Sequence, residues 1–308
     1  MPETEPVELS IILPMRDESL VVDDMLRRLD PVVGGFHGGC EVIAIDDASA
    51  DSTWQRLREG ASARPWLRGI RLACPSGQHA ATFAGLAAAR GRAILTMDAD
   101  LEVSPEDLTK LVDGLQHGHD LVFGTRKHPQ SGFFRQIVGP AVVRLLVHFA
   151  VGRPPAGIST FLAVRSRVVK AALMVKSPRP VTPYHLMLGA PRSVSCVEVR
   201  EGVRPAGRSK YGLLRLLRLT ADIFFGYTSL PEAALFLSAC AVPAGVVALW
   251  LLAAVLSAAR FEGLAAFCVF LGVIYGLAAV TFVLLLVGEL ALRAASPERP
   301  LYCITETF

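Results

Sequence analysis

Residues 92–102 read RAILTMDADLE, and this stretch decides the fold. An apolar run, AILTM, ends on two aspartates two positions apart, Asp98 and Asp100, with Glu102 two further on. A short apolar run stopped by charge reads as a buried strand whose end meets solvent or a ligand. The same pattern occurs upstream. VELSIILP (7–14) leads into Asp17 and Glu18, and CEVIAID (40–46) ends on Asp46 beside Asp47. Further strands are expected at 67–72 and 120–125. Helical segments separate the strands: one after the first with Leu20, Met25, Leu26 and Leu29 near one face, then 52–62, 77–91 and 104–118. Strand–helix alternation over about 125 residues predicts an α/β fold with an open, Rossmann-like, mainly parallel sheet. Ligands of such sheets bind at the carboxyl ends of the strands, where these acidic residues sit. The first strand is followed by neither GxGxxG nor GxxxxGK[ST], which excludes the dinucleotide fingerprint and the P-loop.

The carboxylates differ in what explains them. Asp51 or Ser52 suits a helix cap. Asp46 and Asp47 lie before the turn, where carboxylates accept hydrogen bonds from a base or a ribose. Strand alternation places Asp98 and Asp100 on one side. Like charges that close raise one another's pKa unless a cation lies between them. Hard oxygen ligands suit Mg²⁺ or Mn²⁺, which take one or two carboxylates plus substrate phosphates. Glu102 adds an oxygen, and the implied substrate is a diphosphate. His79 reads as a residue near this pocket rather than a base.

The chain has 308 residues, 52% of them hydrophobic, and a formal net charge of +3. The apolar excess is concentrated late. Residues 233–257 and 264–288 carry no charge, and as helices each extends about 37 Å, enough for a hydrocarbon core of about 30 Å. They are expected to form a two-helix transmembrane hairpin. Arg204, Arg208, Lys210, Arg215 and Arg218 precede it, Arg293 and Arg299 follow it, and the tight loop holds only Arg260. The positive-inside rule then puts both termini and the soluble part in the cytoplasm, on a multi-pass protein of the cytoplasmic membrane. In YGLLRLLRLTADIFFGY (211–227), Arg215, Arg218 and Asp222 share one face of an interfacial amphipathic helix, and 133–151 is similar. The N-terminus lacks the basic and apolar regions of a signal peptide. The six cysteines show no CxxC spacing, so reduced thiols and no structural zinc are expected. Glycine and alanine in the spans permit a homo-oligomer. The expected organisation is 1–210 catalytic, 211–230 juxtamembrane, 231–290 membrane and 291–308 cytoplasmic tail.

The segments IILPMRDES, IDDASADST, GQHAATFAGLAAARG, TMDADLEVSPEDL, VFGTR and RPAGRSKYGLLRLL stand in the order and spacing of glycosyltransferase family 2. From Leu9 to the tail the chain resembles the polyprenyl-phosphate branch of that family. The resemblance implies a GT-A fold that moves a hexosyl or pentosyl group from a nucleotide sugar, UDP-linked by analogy, to a polyprenyl (undecaprenyl) phosphate for cell-envelope glycan or lipid modification. By position, Pro14, Asp17, Glu18, Asp46 and Asp47 would line the nucleoside pocket, and Asp98 would lie near the ribose and diphosphate. Asp100 and Glu102 would hold the metal, and Arg126 would meet the sugar or lipid phosphate. Arg204, Arg208, Ser209, Lys210 and Tyr211 would meet the diphosphate or the acceptor phosphate. Catalysis would then rest on Asp98, Asp100, Arg126, Arg204 and Lys210. Departures from the family are Arg16 and Asp17 in place of tyrosine and asparagine, and Glu102 in place of glutamine. Ala156 and Ile158 stand near the position where many members carry an aspartate.

The chemistry agrees with that resemblance. A phosphate monoester has a second pKa of about 6, so the acceptor is already an anionic nucleophile at neutral pH. The difficulty is repulsion: each unit pair at 4 Å costs about 1 kcal/mol in water and about 4 kcal/mol at an effective dielectric of 20. A metal at Asp100 and Glu102 and the basic cluster RPAGRSKY (204–211) answer that repulsion from two sides. A processive polysaccharide synthase would need more spans and QxxRW, and a nucleotidyltransferase would need a glycine-rich phosphate loop; neither is present. Nucleic acid is not an expected partner. The remaining alternatives are a membrane glycosyltransferase with another acceptor and a non-catalytic nucleotide-sugar binder.

Overall fold

The computed structural model describes residues 7–36, 38–125, 157–175, 181–200, 230–295 and 301–308. The chain divides into two compact units, Met1–Thr220 with Pro300–Phe308, and Ala221–Arg299. The expected interfacial helices at 133–151 and 211–227 lie outside the described residues, as do Arg126, Ala156, Arg204, Arg208, Ser209, Lys210 and Tyr211.

Among the described residues the first unit holds eight strands: β1 (Leu9–Met15), β2 (Cys40–Asp46), β3 (Leu67–Leu72), β4 (Ala93–Thr96), β5 (Leu121–Thr125), β6 (Leu162–Arg165), β7 (Val194–Glu198) and β8 (Ile304–Thr307). Its helices are α1 (Val22–Gly34), α2 (Thr53–Ala61), α3 (Gln78–Ala88), α4 (Leu108–Gln116), α5 (Ser166–Met174) and α6 (Thr182–Leu188). The strand order is β7-β5-β6-β4-β1-β2-β3-β8. Strands β4, β1, β2 and β3 run parallel, as do β5 and β7. Two strands absent from the sequence expectation run the other way. β6 lies antiparallel between β4 and β5, and β8 lies antiparallel along the edge of β3. The sheet is therefore mixed rather than simply wound.

The central strands are apolar at almost every position because both faces are covered. Side-chain alternation divides them. Leu9, Ile11, Leu13 and Met15 of β1 join Val42 and Ala44 of β2 in a core with Met25, Leu26, Leu57 and Leu111. Ile12, Ile43 and Ile45 face the opposite core with Ala81, Ala84, Val168 and Leu186. α3 approaches so closely that a Cβ on Gly85 would lie 2.4 Å from Ile12 Cγ2. The strand order reverses at β1, which opens a crevice at the carboxyl ends of β1 and β4.

The second unit holds α7 (Leu230–Ala258) and α8 (Glu262–Ala295). They cover the two expected apolar spans and pack on each other. Gly245 leaves room for Tyr275 and Gly272 for Trp250, where an added Cβ would come within 2.7 and 2.9 Å. In the most apolar windows only 6% and 11% of residues are buried, and Leu251, Phe270 and Leu285 stay exposed. Both helices are long and apolar enough to cross a membrane, and their exposure is the reverse of a soluble core helix.

Candidate active site

The sequence expectation placed Asp98 and Asp100 together by strand alternation. The structure brings them together differently. β4 stops at Thr96, and the chain leaves the sheet in a turn with Leu101 at φ +58°. The turn, not the pleat, makes the carboxylates converge. Glu102 N–H donates to Asp100 Oδ1 at 3.1 Å, which closes the turn. Asp98 is held from two other elements: Gln78 Nε2 donates to its Oδ1 at 2.6 Å, and Thr160 Oγ1 donates to its Oδ2 at 3.0 Å. Burial, then the charge of Asp100, pushes the Asp98 carboxyl up to about 6. The hydrogen bonds from Thr160 and Gln78 oppose that shift, and Glu102 adds to it. The negative charge concentrated here is what a bound cation would relieve.

Asp98 and Asp100 open onto a cavity of about 430 Å³ lined also by Thr125, Ile158, Thr160 and Cys196. That size suits a small-molecule site. Among the described residues no three His, Cys, Asp or Glu side chains gather into a metal cage. Mg²⁺ and Mn²⁺ do not require one, since one or two carboxylates suffice when phosphates supply the rest. Both oxygens of Asp98 are engaged by Gln78 and Thr160, and Asp100 and Glu102 carry the hard oxygen chemistry that suits such an ion.

The loop after β2 has the opposite electrostatic character. Asp47 is 3% exposed and accepts from Ser76 N–H at 2.6 Å and Gly77 N–H at 2.9 Å. Gly77, at φ +94°, makes the turn into α3 without the strain a side chain would meet there. Residues 76–78 thus tie the two acidic groups together, backbone to Asp47 and side chain to Asp98. Asp46 is fully buried; its Oδ1 accepts from Ser49 N–H at 3.2 Å, and its Oδ2 lies 3.2 Å from Arg71 Nε. Burial raises its pKa, and the Ser49 bonds and Arg71 only partly offset this.

Asp51, not Ser52, makes the helix-capping bonds. Its Oδ1 accepts from Thr53 N–H at 2.9 Å, and its Oδ2 accepts from Ser19 N–H at 3.1 Å. Burial would raise this carboxyl, but the bonds from Thr53 and Ser19 prevail and lower it to about 2. Glu18 N–H donates to Thr53 Oγ1 at 2.9 Å, and Asp17 N–H to Ser49 Oγ at 2.9 Å. Asp17 adopts φ +55°, and its Oδ1 accepts from Ala50 N–H at 2.9 Å. Arg16 is exposed, 3.8 Å from Asp17 and 3.9 Å from Asp47. Pro14, at the end of β1, is partly exposed beside this loop.

The described residues the sequence singled out therefore fall into two groups, Pro14, Asp17, Glu18, Asp46 and Asp47 at the ends of β1 and β2, and Asp98, Asp100 and Glu102 after β4. Asp46 and Asp47 are buried and brace their loop rather than line a pocket as the sequence led one to expect. His79 lies 3.3 Å from Thr182 Oγ1 through Nδ1. Sequence reasoning missed Gln78, Thr160, Ser49 and Arg71, the residues that hold the carboxylates. Gln78 and Ser49 had a signal, their places in GQHAA and IDDASADST.

The mixed α/β sheet, with carboxylates at the strand ends and a small-molecule cavity beside Asp98 and Asp100, is a GT-A-like fold. The description "Glycosyl transferase family 2" matches residues 10–157. An undecaprenyl-phosphate 4-deoxy-4-formamido-L-arabinose transferase of Aeromonas hydrophila is 30% identical over 233 residues, 75% of this chain and 71% of that one. The enzyme of the same name from Edwardsiella ictaluri is 30% identical over 230 residues, 74% and 70% of the two chains. Crystalline Mycobacterium tuberculosis glucosyl-3-phosphoglycerate synthase shares the fold at 20% identity and a TM-score of 0.51, over 71% of this chain and 78% of that one. The same enzyme with Mn²⁺, uridine diphosphate and glucosyl-3-phosphoglycerate matches at 19% identity and a TM-score of 0.50 over the same shares. The chain belongs to glycosyltransferase family 2 and is a glycosyltransferase.

Proposed function

We propose that the enzyme moves a sugar from a UDP-sugar to a polyprenyl phosphate such as undecaprenyl phosphate, with inversion at the anomeric carbon. The observation that carries this reading is that Asp98 and Asp100 open onto one cavity, in a chain that also holds two membrane-length helices. The names of the relatives supply the acceptor class. Pro14, Asp17 and Glu18, on a loop braced by Asp46 and Asp47, serve the nucleoside. Asp98 takes the ribose and diphosphate side, and Asp100 and Glu102 are the residues to hold Mg²⁺ or Mn²⁺. Bound there, the ion supplies Lewis-acid stabilisation of the leaving diphosphate. Arg126, Arg204, Arg208, Ser209, Lys210 and Tyr211 are proposed from sequence to meet the phosphates.

The step needs no strong base, because the acceptor phosphate is anionic at neutral pH. Its oxygen forms the new bond to the anomeric carbon as the carbon–oxygen bond to the diphosphate breaks, and UDP leaves with that electron pair. The basic residues on both sides of the helix pair support a multi-pass cytoplasmic-membrane protein with its soluble unit and termini inside. The proposed organisation is a catalytic part over 1–210, a juxtamembrane segment over 211–230 and two spans over 231–290.

The test is transfer of radiolabelled sugar from a panel of nucleotide sugars into organic-extractable lipid, with undecaprenyl phosphate as acceptor. Label in a water-soluble polymer, or none with any donor, refutes the reading. Retention of anomeric configuration in the product, read by NMR, refutes the single displacement.

A further inference from the structure

The last strand of the sheet reaches the donor side of the crevice. β8 follows α8 in the chain and pairs with β3, setting Glu306 opposite Arg71. The pairing is extended at both ends. Ala73 N–H donates to Cys303 O at 2.7 Å, and Gly69 and Phe308 exchange both backbone bonds at 3.1 Å. Thr305 Oγ1 adds a bond to Arg71 O at 3.2 Å. The Phe308 ring lies over Gly69, where a Cβ would come within 2.3 Å of it, and stands 4.9 Å from the Trp54 ring.

Glu306 makes two further contacts. Its Oε2 accepts from Trp54 Nε1 at 2.8 Å, and its Oε1 stands 3.8 Å from Arg71 Nη1. Arg71 in turn lies 3.2 Å from Asp46 Oδ2 through Nε, donates to Ser49 O at 3.3 Å through Nη2, and lies 5.9 Å from the Trp54 ring centre. Among the described residues, Asp46 Oδ2 is the buried side-chain oxygen left without a hydrogen bond. Its compensation is the Arg71 charge. An arginine on a partly exposed strand has other rotamers that lead into solvent. Glu306 on one side and Trp54 beneath restrict the guanidinium to the position that serves Asp46 and Ser49. Ser49 holds the Asp17 backbone, and Asp17 holds Ala50.

We propose that Glu306 is a positioning residue for the donor nucleotide, acting through Arg71 on the loop 46–51. It rests on the reading of that loop as the nucleoside side of a UDP-sugar site. The strand's backbone ladder does not need the Glu306 carboxylate, so side chain and strand are separable. Glu306→Gln keeps an oxygen for Trp54 and removes the charge facing Arg71.

The experiment measures UDP binding to the full chain in detergent with Mn²⁺ by calorimetry, with ADP, GDP and CDP in parallel, and steady-state transfer beside it. Glu306→Gln weakens UDP binding roughly 3- to 10-fold, as expected for a partly exposed ion pair that orients a charged donor. KM for the donor rises in step, whereas KM for the acceptor and kcat change less than about twofold. Arg71→Ala with Glu306→Gln binds no worse than Arg71→Ala alone, because the glutamate acts through the arginine. Unchanged UDP binding in Glu306→Gln, additive losses in the double variant, or equal loss of acceptor KM each overturn the proposal. If the unsubstituted chain binds none of the four nucleotides, the donor reading falls and the proposal falls with it.

Discussion

The loops after β2 and β4 use the same residue types to opposite ends. After β2, Asp46, Asp47 and Asp51 are engaged by backbone N–H groups, hydroxyls and an arginine. After β4, Asp98 and Asp100 open onto one cavity, and the Asp98 carboxyl is pushed up to about 6. Carboxylates bonded to N–H groups act as architecture, fixing a loop. Asp98 is instead held by side chains from two other elements while burial and the Asp100 charge push its carboxyl up. Composition does not distinguish the two; the partners do.

The contrast is most exposed to refutation at Asp100. Asp100→Ala lowers transfer by about 10³-fold or more, the scale for losing a main electrostatic contributor, and leaves the melting temperature unchanged or raised. Near-normal turnover would sink the metal assignment. Removal of divalent ions with EDTA has a similar effect, restored by Mn²⁺ or Mg²⁺. Glu102→Gln, which returns the residue common in the family, is milder: roughly tenfold in the Mn²⁺ concentration needed for half-maximal rate, on the scale of perturbed metal sites.

In the loop after β2 the losses appear in stability. Asp47→Ala gives up two charge-assisted bonds and costs about 2–4 kcal/mol in chemical unfolding of the full chain. A cost as small as that of an ordinary surface change would mean that residues 76 and 77 hold themselves. Asp51→Ala costs about 1 kcal/mol, the usual value of a cap. Its pH dependence has a defined sign. The Asp51 carboxyl lies at about 2 when folded against 3.8 ordinarily, so its contribution is full above the ordinary value and lost as pH falls through the folded one. The gap between Asp51→Ala and the unsubstituted chain therefore narrows from about pH 5 to pH 2. A constant gap would assign the effect to packing.

β1, β2, β4 and β5 were legible because each is an apolar run leading into charge, and β3 because LRGIRL falls between two helical segments; their bounds in the sequence reading fall within a few residues of those found. β6, β7 and β8 were not. LAVR, VSCVE and ITET are four or five residues long and carry no decisive alternation. β8 becomes a strand only against β3, which no local pattern reveals. The carboxylates were legible for the same reason as the strands, since they end them. Gln78, Thr160 and Arg71 were not, because each reaches its aspartate from another element. Asp98 and Asp100 lie beyond the end of β4, so a turn does what the strand pleat leads one to expect.

The position of β8 bears on how the chain is made. Thr305 bonds to Arg71 across 234 positions, with both apolar helices between them in the chain. During synthesis β3 therefore stands as an open sheet edge until the helix pair has emerged. Open edges invite pairing with other chains. Closing the sheet with a segment translated after the two apolar helices couples maturation of the first unit to synthesis of that pair, and ribosome-stalled chains ending before residue 301 would be the aggregation-prone form.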